Sequence, residues 1–280
     1  MGSDENSQPL DDGFFERDIE YFRDAQYATT TNLNARVALH DKYSTSPQKW
    51  FDWLVDQIEW GTSHDVLEVG CGTGLLWAHV PGLATRDLGV TLTDLSQTMV
   101  DTAVARAMTN GHVVRGLTAD VHTLPFDDAS YDLVIANHML YHSPHPSLAI
   151  KEISRVLRPG GKFVASTNGP QHLAELHEID AAVFETSRAR KNNAEIFGPT
   201  SGIPMLRECF SDIEWRGHRD AILCTDPDDV VRYLTSMPPG SGASPSQLGL
   251  LRSEVVRRMA IANGVLAISK DSGVFLSRKS

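Results

Sequence analysis

Cysteine is scarce in this 280-residue chain: Cys71, Cys209 and Cys224 stand far apart, in no CxxC or Cys/His spacing. An odd, dispersed set argues against a disulfide framework and against a structural zinc site, and it fits a reducing compartment, so the expected location is cytoplasmic and no metal is expected. Basic charge is also short, with 25 Lys and Arg against 36 Asp and Glu and a formal net charge of -11. An acidic field repels phosphate backbones and anionic lipid unless basic residues are segregated. The two basic pieces, at 188–191 and 255–259, read as solvated helix faces, so neither nucleic acid nor membrane is expected as a partner. Long apolar runs are missing too, since none approaches the ~18 residues of a membrane helix. The N-terminal MGSDENSQPL has no h-region, and Asn6 stands where a myristoylation signal takes Ser or Thr.

What is present is a 41% hydrophobic composition, enough to bury a core. Residues 1–13 read as disordered, and residues 14 to about 43 as one or two aromatic-rich helices. STSPQKWFDWLVDQIEW reads as an amphipathic helix capped by Ser46, with Pro47 at its first position and Trp50, Phe51, Leu54, Val55 and Ile58 facing a core. From Asp65 the rhythm changes to short apolar runs, VLEV (66–69), GVTL (89–92), VVRGLT (113–118), LVIA (133–136) and KFVAS (162–166). Helical segments lie between them. One is capped by Ser96 with Met99, Val100, Ala103 and Val104 on one face; another carries Leu148, Ile150, Ile153, Val156 and Leu157 before a Pro-Gly-Gly stop. Strand alternating with helix, with the strands buried on both faces, predicts a parallel sheet with right-handed crossovers. After Ser166, helical stretches at about 172–192 and 246–261 flank the strand-like DIEWRG and DAILCT, and VLAISKDSGVFLSRK reads as a closing hairpin turning at Asp271, Ser272 and Gly273.

The stretch VLEVGCGTG, Val66 to Gly74, is the chemical centre of the sequence. Ligands of open parallel sheets bind beyond the carboxyl ends of the strands, and the first strand-to-helix turn carries the glycines. Without Cβ atoms the backbone turns sharply and comes close to a ligand. A dinucleotide fingerprint would take glycine at 75, where the chain has Leu75, and no Gly-Lys-Ser or Gly-Lys-Thr follows for a P-loop.

With Glu68 opening EVGCGTG, the chain from about Asn32 to Ser280 resembles the class I S-adenosylmethionine (SAM)-dependent methyltransferases. The resemblance implies an α/β fold: a Rossmann-like, doubly wound, mostly parallel sheet with an antiparallel last strand and helical cap insertions at about 169–210 and 226–262. It implies SAM as cofactor, with Glu68, Gly70, Cys71 and Gly72 at the first turn and Asp94, Leu95 and Met99 after the second strand. Asp94 matches the carboxylate that takes the ribose hydroxyls, Asp120 the one that accepts from the adenine amine, with Val121 beside it. Asn137 and His138 fall where the family lines the methionine end. NLNARVALHDKYST, ANHMLYHSP and DSGVFLSRK are similar to small-molecule methyltransferases of the ubiquinone-biosynthesis type, as found in secondary metabolism. In that group an N-terminal helix folds over the cofactor, which implies a flexible N-terminus and lid at 1–45, with roles for Tyr21, Tyr27 and Arg36, and a SAM-binding domain at 46–280.

A sulfonium methyl is already activated, so transfer depends on an acceptor held in line in a water-poor pocket, with a base only where the acceptor loses a proton. His138, His142, His145 and His172 are the candidates, with His142 ahead of His138; each also reads as a solvated or structural histidine. Tyr141, Trp50, Trp53 and Phe197 are candidates for an apolar acceptor wall, core packing being the other reading of the tryptophans. The Asn/Asp-Pro-Pro-aromatic loop of base-methylating enzymes is replaced by ANHML, so the expected partner is a small-molecule acceptor methylated on O, N or C. Homo-oligomerisation is left open. The competing readings are a SAM-binding protein that transfers no methyl and promotes a cyclisation, and an NAD-linked enzyme.

Overall fold

In the computed structural model, which describes residues 30–61, 63–80, 88–184 and 193–280, the five apolar runs become strands β1 (Asp65–Val69), β2 (Gly89–Asp94), β3 (Val114–Thr118), β4 (Tyr131–Asn137) and β5 (Leu157–Asn168). They pair in parallel. Two long strands follow, β6 (Phe210–Cys224) and β7 (Leu266–Lys279), and the seven make one sheet in the order β3-β2-β1-β4-β5-β7-β6, with β7 antiparallel to both neighbours. This is the Rossmann-like, mostly parallel architecture that the sequence implied.

The helices are α1 (Thr30–Tyr43), α2 (Trp50–Gln57), α3 (Gln97–Thr109), α4 (Pro146–Val156), α5 (Ala174–Phe184), α6 (Asn193–Phe197), α7 (Gly202–Arg207), α8 (Pro227–Leu234) and α9 (Pro245–Ile261). Alternate residues of β4 enter opposite cores. Val134 and Ala136 join Ala149, Ile150, Ile153 and Val156 of α4 on one face; Leu133 and Ile135 join Leu54 and Val55 of α2 and Ala103 and Ala107 of α3 on the other. A strand feeding two cores has no polar face to offer, hence its continuous apolar run, and each such side chain contributes about 1.5–3 kcal/mol on burial. Ser96 caps α3 by accepting from Met99 N at 3.4 Å.

Four local expectations are corrected. Leu148 is 53% exposed, because the buried stripe of α4 runs through Ala149, Ile150, Ile153 and Val156 and Leu148 lies a step off it. Leu157 opens β5, and the Pro-Gly-Gly after it forms a bulge in that strand, with Gly160 at a left-handed φ of +75° and regular pairing with β4 resuming at Lys162. Ser46 does not cap a helix: α2 begins at Trp50, and Ser46 is drawn away by the Asp220 carboxylate, which takes its N–H at 2.9 Å, and by Gln48 O, which takes its hydroxyl. The closing hairpin is one unbroken strand. β7 pairs with β6 along its whole length, and Gly273 serves close packing there, since a Cβ would sit 2.4 Å from Arg216 O and 2.5 Å from the Trp215 ring.

The outer halves of β6 and β7 extend past β5 and carry a third core, in which Ile222 and Ile268 meet Leu39 of α1, Leu176 and Ile179 of α5, Val230 and Leu234 of α8 and Leu251 and Val255 of α9. Asp220 pins the chain between α1 and α2 to this extension: it accepts from Ser44 Oγ and from the N–H groups of Thr45 and Ser46, and it pairs with Lys270. Ion pairing there holds the Asp220 carboxyl down at about 2 against the effect of burial. Tyr21 and Tyr27 lie outside the described residues.

Candidate functional site

The carboxyl ends of β1 to β4 open onto one cavity of about 320 Å³, at the point where the strand order reverses between β1 and β4. Gly70, Gly72 and Gly74 take φ values of +63°, +51° and +69°, a left-handed path that explains their alternate spacing. Their roles differ. A Cβ on Gly70 would strike Met139 at 2.8 Å and one on Gly74 the Cα of Ala103 at 2.7 Å, whereas one on Gly72 would meet nothing within 4 Å. Gly72 therefore leaves bare main chain facing open space on the cavity wall.

Asp94, ending β2, organises this turn. Its Oδ2 accepts from Gly72 N at 2.9 Å and its Oδ1 from Ser96 N at 3.0 Å, and each oxygen keeps a lone pair for a ligand. Ser96 and not Asp94 caps the helix that follows, so the cap reading of Asp94 gives way to one in which it holds the turn and faces the cavity. Burial pushes its carboxyl up, with the N–H groups of Ser96, Gly72 and Leu95 opposing. Glu68 is 1% exposed and accepts from Trp77 Nε1 at 2.6 Å; burial pushes it to about 8, and the nearby Asp94 charge adds to the rise. Cys71, Leu95, Met99 and Val121 line the same cavity.

Beyond β3, Asp120 Oδ1 accepts from His122 N at 2.9 Å, and the His122 Nδ1 lies 2.7 Å from the same oxygen. His122 Nε2 lies 2.8 Å from Ser143 Oγ, so a chain of contacts joins the strand 3 carboxylate to the loop after β4. His122 and Ser143 were missed by the sequence reading. The Asp-x-His spacing of a short side-chain turn was the available signal for the first, and nothing pointed to the second.

Asn137 lines the cavity at the end of β4, its Oδ1 accepting from Ser166 Oγ at 2.6 Å. His138 follows at a left-handed φ of +52°, its N–H held by Ser166 Oγ at 2.9 Å. Burial lowers the His138 imidazole to about 3, with His142, His40 and Lys270 adding to the drop, so it is neutral at physiological pH. His142 lines the cavity and its ring lies 4.5 Å from that of Tyr141.

Several candidates lie elsewhere. Arg36 on α1 does not line the cavity. His145 is exposed just before α4, and His172 is turned toward Ser272 Oγ, 3.1 Å from its Nδ1, and stacks on His40. Phe197 is fully buried against Phe275, and Tyr141 belongs to the same core. Trp53 packs against both Trp50 and His218. Phe51, Leu75, Leu76, Met139 and Pro144 supply the apolar lining instead. Among the described residues no group of His, Cys, Asp and Glu is arranged to hold a metal, and no helix is long and apolar enough to cross a membrane.

The cavity fits SAM on its own terms. Bare main chain at Gly72 admits a close ligand, the Asp94 and Asp120 carboxylates line it as acceptors for hydroxyl and amino groups, and much of the remaining lining is apolar.

Comparison with known proteins agrees. A methyltransferase domain family matches residues 67–165. Over 233 residues, 81% of this chain and 79% of the relative, the sequence is 32% identical to the malonyl-(acyl-carrier protein) O-methyltransferase of Hahella chejuensis. It is 32% identical over 132 residues, 47% of the chain and 55% of the relative, to the ubiquinone biosynthesis O-methyltransferase of Coxiella burnetii. Among solved structures, a methyltransferase of Bacillus halodurans superposes with a TM-score of 0.56 at 18% identity, over 82% of this chain and 98% of that one. The phosphoethanolamine N-methyltransferase 2 of Haemonchus contortus in complex with SAM superposes with 0.55 at 20% identity, over 92% of this chain and 59% of that one.

Proposed function

Since the chain belongs to the class I SAM-dependent methyltransferases and uses SAM, we propose that it methylates an O, N or C atom of a small, largely apolar metabolite, in secondary metabolism. The observation that carries this reading is the continuity of one cavity from the carboxylates of Asp94 and Asp120 to Asn137 at the end of β4 and to His138 and His142 just after it. Two relatives are named for O-methyl transfer, which favours oxygen.

SAM, when bound, supplies a methyl group activated by its sulfonium. In this reading the free lone pairs of Asp94 take the ribose hydroxyls, the Gly70–Gly72 main chain takes the amino-acid tail, and Asp120 takes the adenine amine with Val121 against the ring. Leu95 and Met99 close the apolar sides. Phe51, Leu76 and Met139 exclude water from the acceptor's approach, so that alignment supplies much of the rate. His142 takes the proton of an acceptor that must lose one, since the neutral, buried His138 holds a proton too weakly at physiological pH.

The test incubates the protein with labelled SAM and a panel of phenols, carboxylic acids, amines and indoles, and measures S-adenosylhomocysteine. Methyl transfer to a panel member supports the reading, and loss of turnover with unchanged SAM affinity in His142→Ala supports the base. SAM binding without transfer to any member would favour the non-transferring alternative.

A further inference from the structure

We propose that Trp50 and His138 form the subsite that selects the acceptor, and that it takes an oxygen group, hydroxyl or carboxyl, bound by the indole N–H and the imidazole Nδ1 together. This rests on the methyl-transfer reading and narrows it.

Three buried polar atoms have no hydrogen-bond partner among the described residues at this place: Trp50 Nε1, His138 Nδ1 and, on the ring 5.6 Å from the indole, His218 Nδ1. The first two belong to adjoining rings, with centroids 4.9 Å apart and planes inclined at 47°, and of the two histidines only His138 lines the cavity. A buried polar group without a partner costs about 1–3 kcal/mol, and native structures keep few of them. Two on touching rings, one of which lines the SAM cavity, mark a place where a ligand completes the bonding.

Neither ring is free to turn away. Ser166 anchors the His138 backbone, whose left-handed φ is itself a strained state for histidine. Trp50 is wedged between Trp53 and His218, with centroids at 5.4 and 5.6 Å. Strain and unmet bonding in one spot are the signature of a site organised for a ligand rather than for stability.

The chemistry of the two nitrogens restricts the ligand. An indole nitrogen only donates, so its partner must carry a lone pair. A neutral imidazole nitrogen accepts in one tautomer and donates in the other. A hydroxyl oxygen accepts from Trp50 and donates to His138; a carboxylate oxygen accepts from both when His138 carries its proton on Nδ1. An aromatic C–H satisfies neither nitrogen, and an ammonium leaves Trp50 unpaired. Burial, with His142, His40 and Lys270, keeps His138 uncharged, so the subsite binds the acceptor beside a sulfonium without adding a second cation.

The direct test is the nitrogen-15-labelled indole spectrum of the full chain saturated with S-adenosylhomocysteine. It contains five tryptophans, and Trp50 is assigned by its loss in Trp50→Phe. Phenol, benzoate and toluene are titrated separately. The expected result is a downfield shift of the Trp50 indole proton with phenol, benzoate or both, and none with toluene; which of the two acts reports the tautomer. With an oxygen acceptor from the turnover panel, Trp50→Phe, which keeps the ring stack, should raise KM at least tenfold and leave SAM affinity within twofold. His138→Asn, which tolerates the left-handed backbone and keeps a polar atom near Nδ1, should retain more activity than His138→Ala. A Trp50 signal that ignores all three probes, one that answers toluene equally, or an unchanged KM in Trp50→Phe overturns the proposal while methyl transfer stands. Failure of S-adenosylhomocysteine to bind at all sinks both.

Discussion

Replacing Gly72 by alanine separates ligand binding from folding at the glycine turn. An alanine there takes a left-handed φ near +51°, which costs about 1–2 kcal/mol. Space costs nothing more, because its Cβ meets no atom within 4 Å. At about 2–4 °C per kcal/mol for a chain of this size, the apo melting temperature should fall by about 2–8 °C. The same substitution at Gly74 carries the same strain and adds a collision with the Ala103 backbone at 2.7 Å, worth about 1–3 kcal/mol of overpacking. SAM affinity should order the two variants the opposite way. The Cβ at 72 projects where the ligand approaches the main chain, so Gly72→Ala should bind SAM at least tenfold more weakly, while folded Gly74→Ala loses less. Calorimetry with SAM, beside melting curves with and without it, reads both quantities, since a bound ligand raises stability by RT ln(1 + [L]/Kd). Gly72→Ala binding SAM within twofold of wild type would refute the reasoning, as would a Gly74→Ala variant as stable as Gly72→Ala.

Glu68→Gln should change how stability depends on pH. A carboxyl raised from 4.5 to about 8 in the folded state holds its proton there after the unfolded chain has lost it, so its contribution is complete below pH 4.5 and is lost as pH rises through 8. Melting curves of the apo protein at pH 5 and 9 should show a smaller loss on alkalinisation in the glutamine variant, and an equal loss would return Glu68 to the ordinary range. His122→Ala should weaken SAM binding about three- to thirtyfold by releasing Asp120 and Ser143, and His122→Asn, which keeps a donor near the Nδ1 position, should recover part of it; kcat at saturating SAM is the control and should move less than KM. Asp220→Ala leaves Lys270 buried without its partner and frees Ser44 to Ser46, and by denaturant unfolding it should cost about 3–5 kcal/mol. In wild type the same pair should be lost only in acid, because a carboxyl depressed from 3.8 to about 2 contributes fully above pH 3.8 and fades as pH falls through 2.

Local pattern made the first five strands legible, because a strand buried on both faces leaves an uninterrupted apolar run, as LVIA does between two cores. The glycine turn and the carboxylate Asp94 were legible for a related reason: backbone conformation and strand-end position are encoded within a few residues. Ser46 and Gly273 were misread because their local signals, a helix cap and a turn, yielded to partners far along the chain, Asp220 in one case and the Trp215–Arg216 edge of β6 in the other.

Short-range periodicity was thus enough to specify a parallel sheet, and the resemblance carried by EVGCGTG to imply SAM at the turn after its first strand, since both depend on neighbours only a few positions away. The three-dimensional packing alone decided that Glu68 meets Trp77, that His122 ties Asp120 to Ser143, and that Trp50 and His138 face each other with nitrogens unpaired. Those pairs join elements from distant parts of the chain, and burial, which sets their charge and their need for partners, exists only once the sheet and its helices have closed around them.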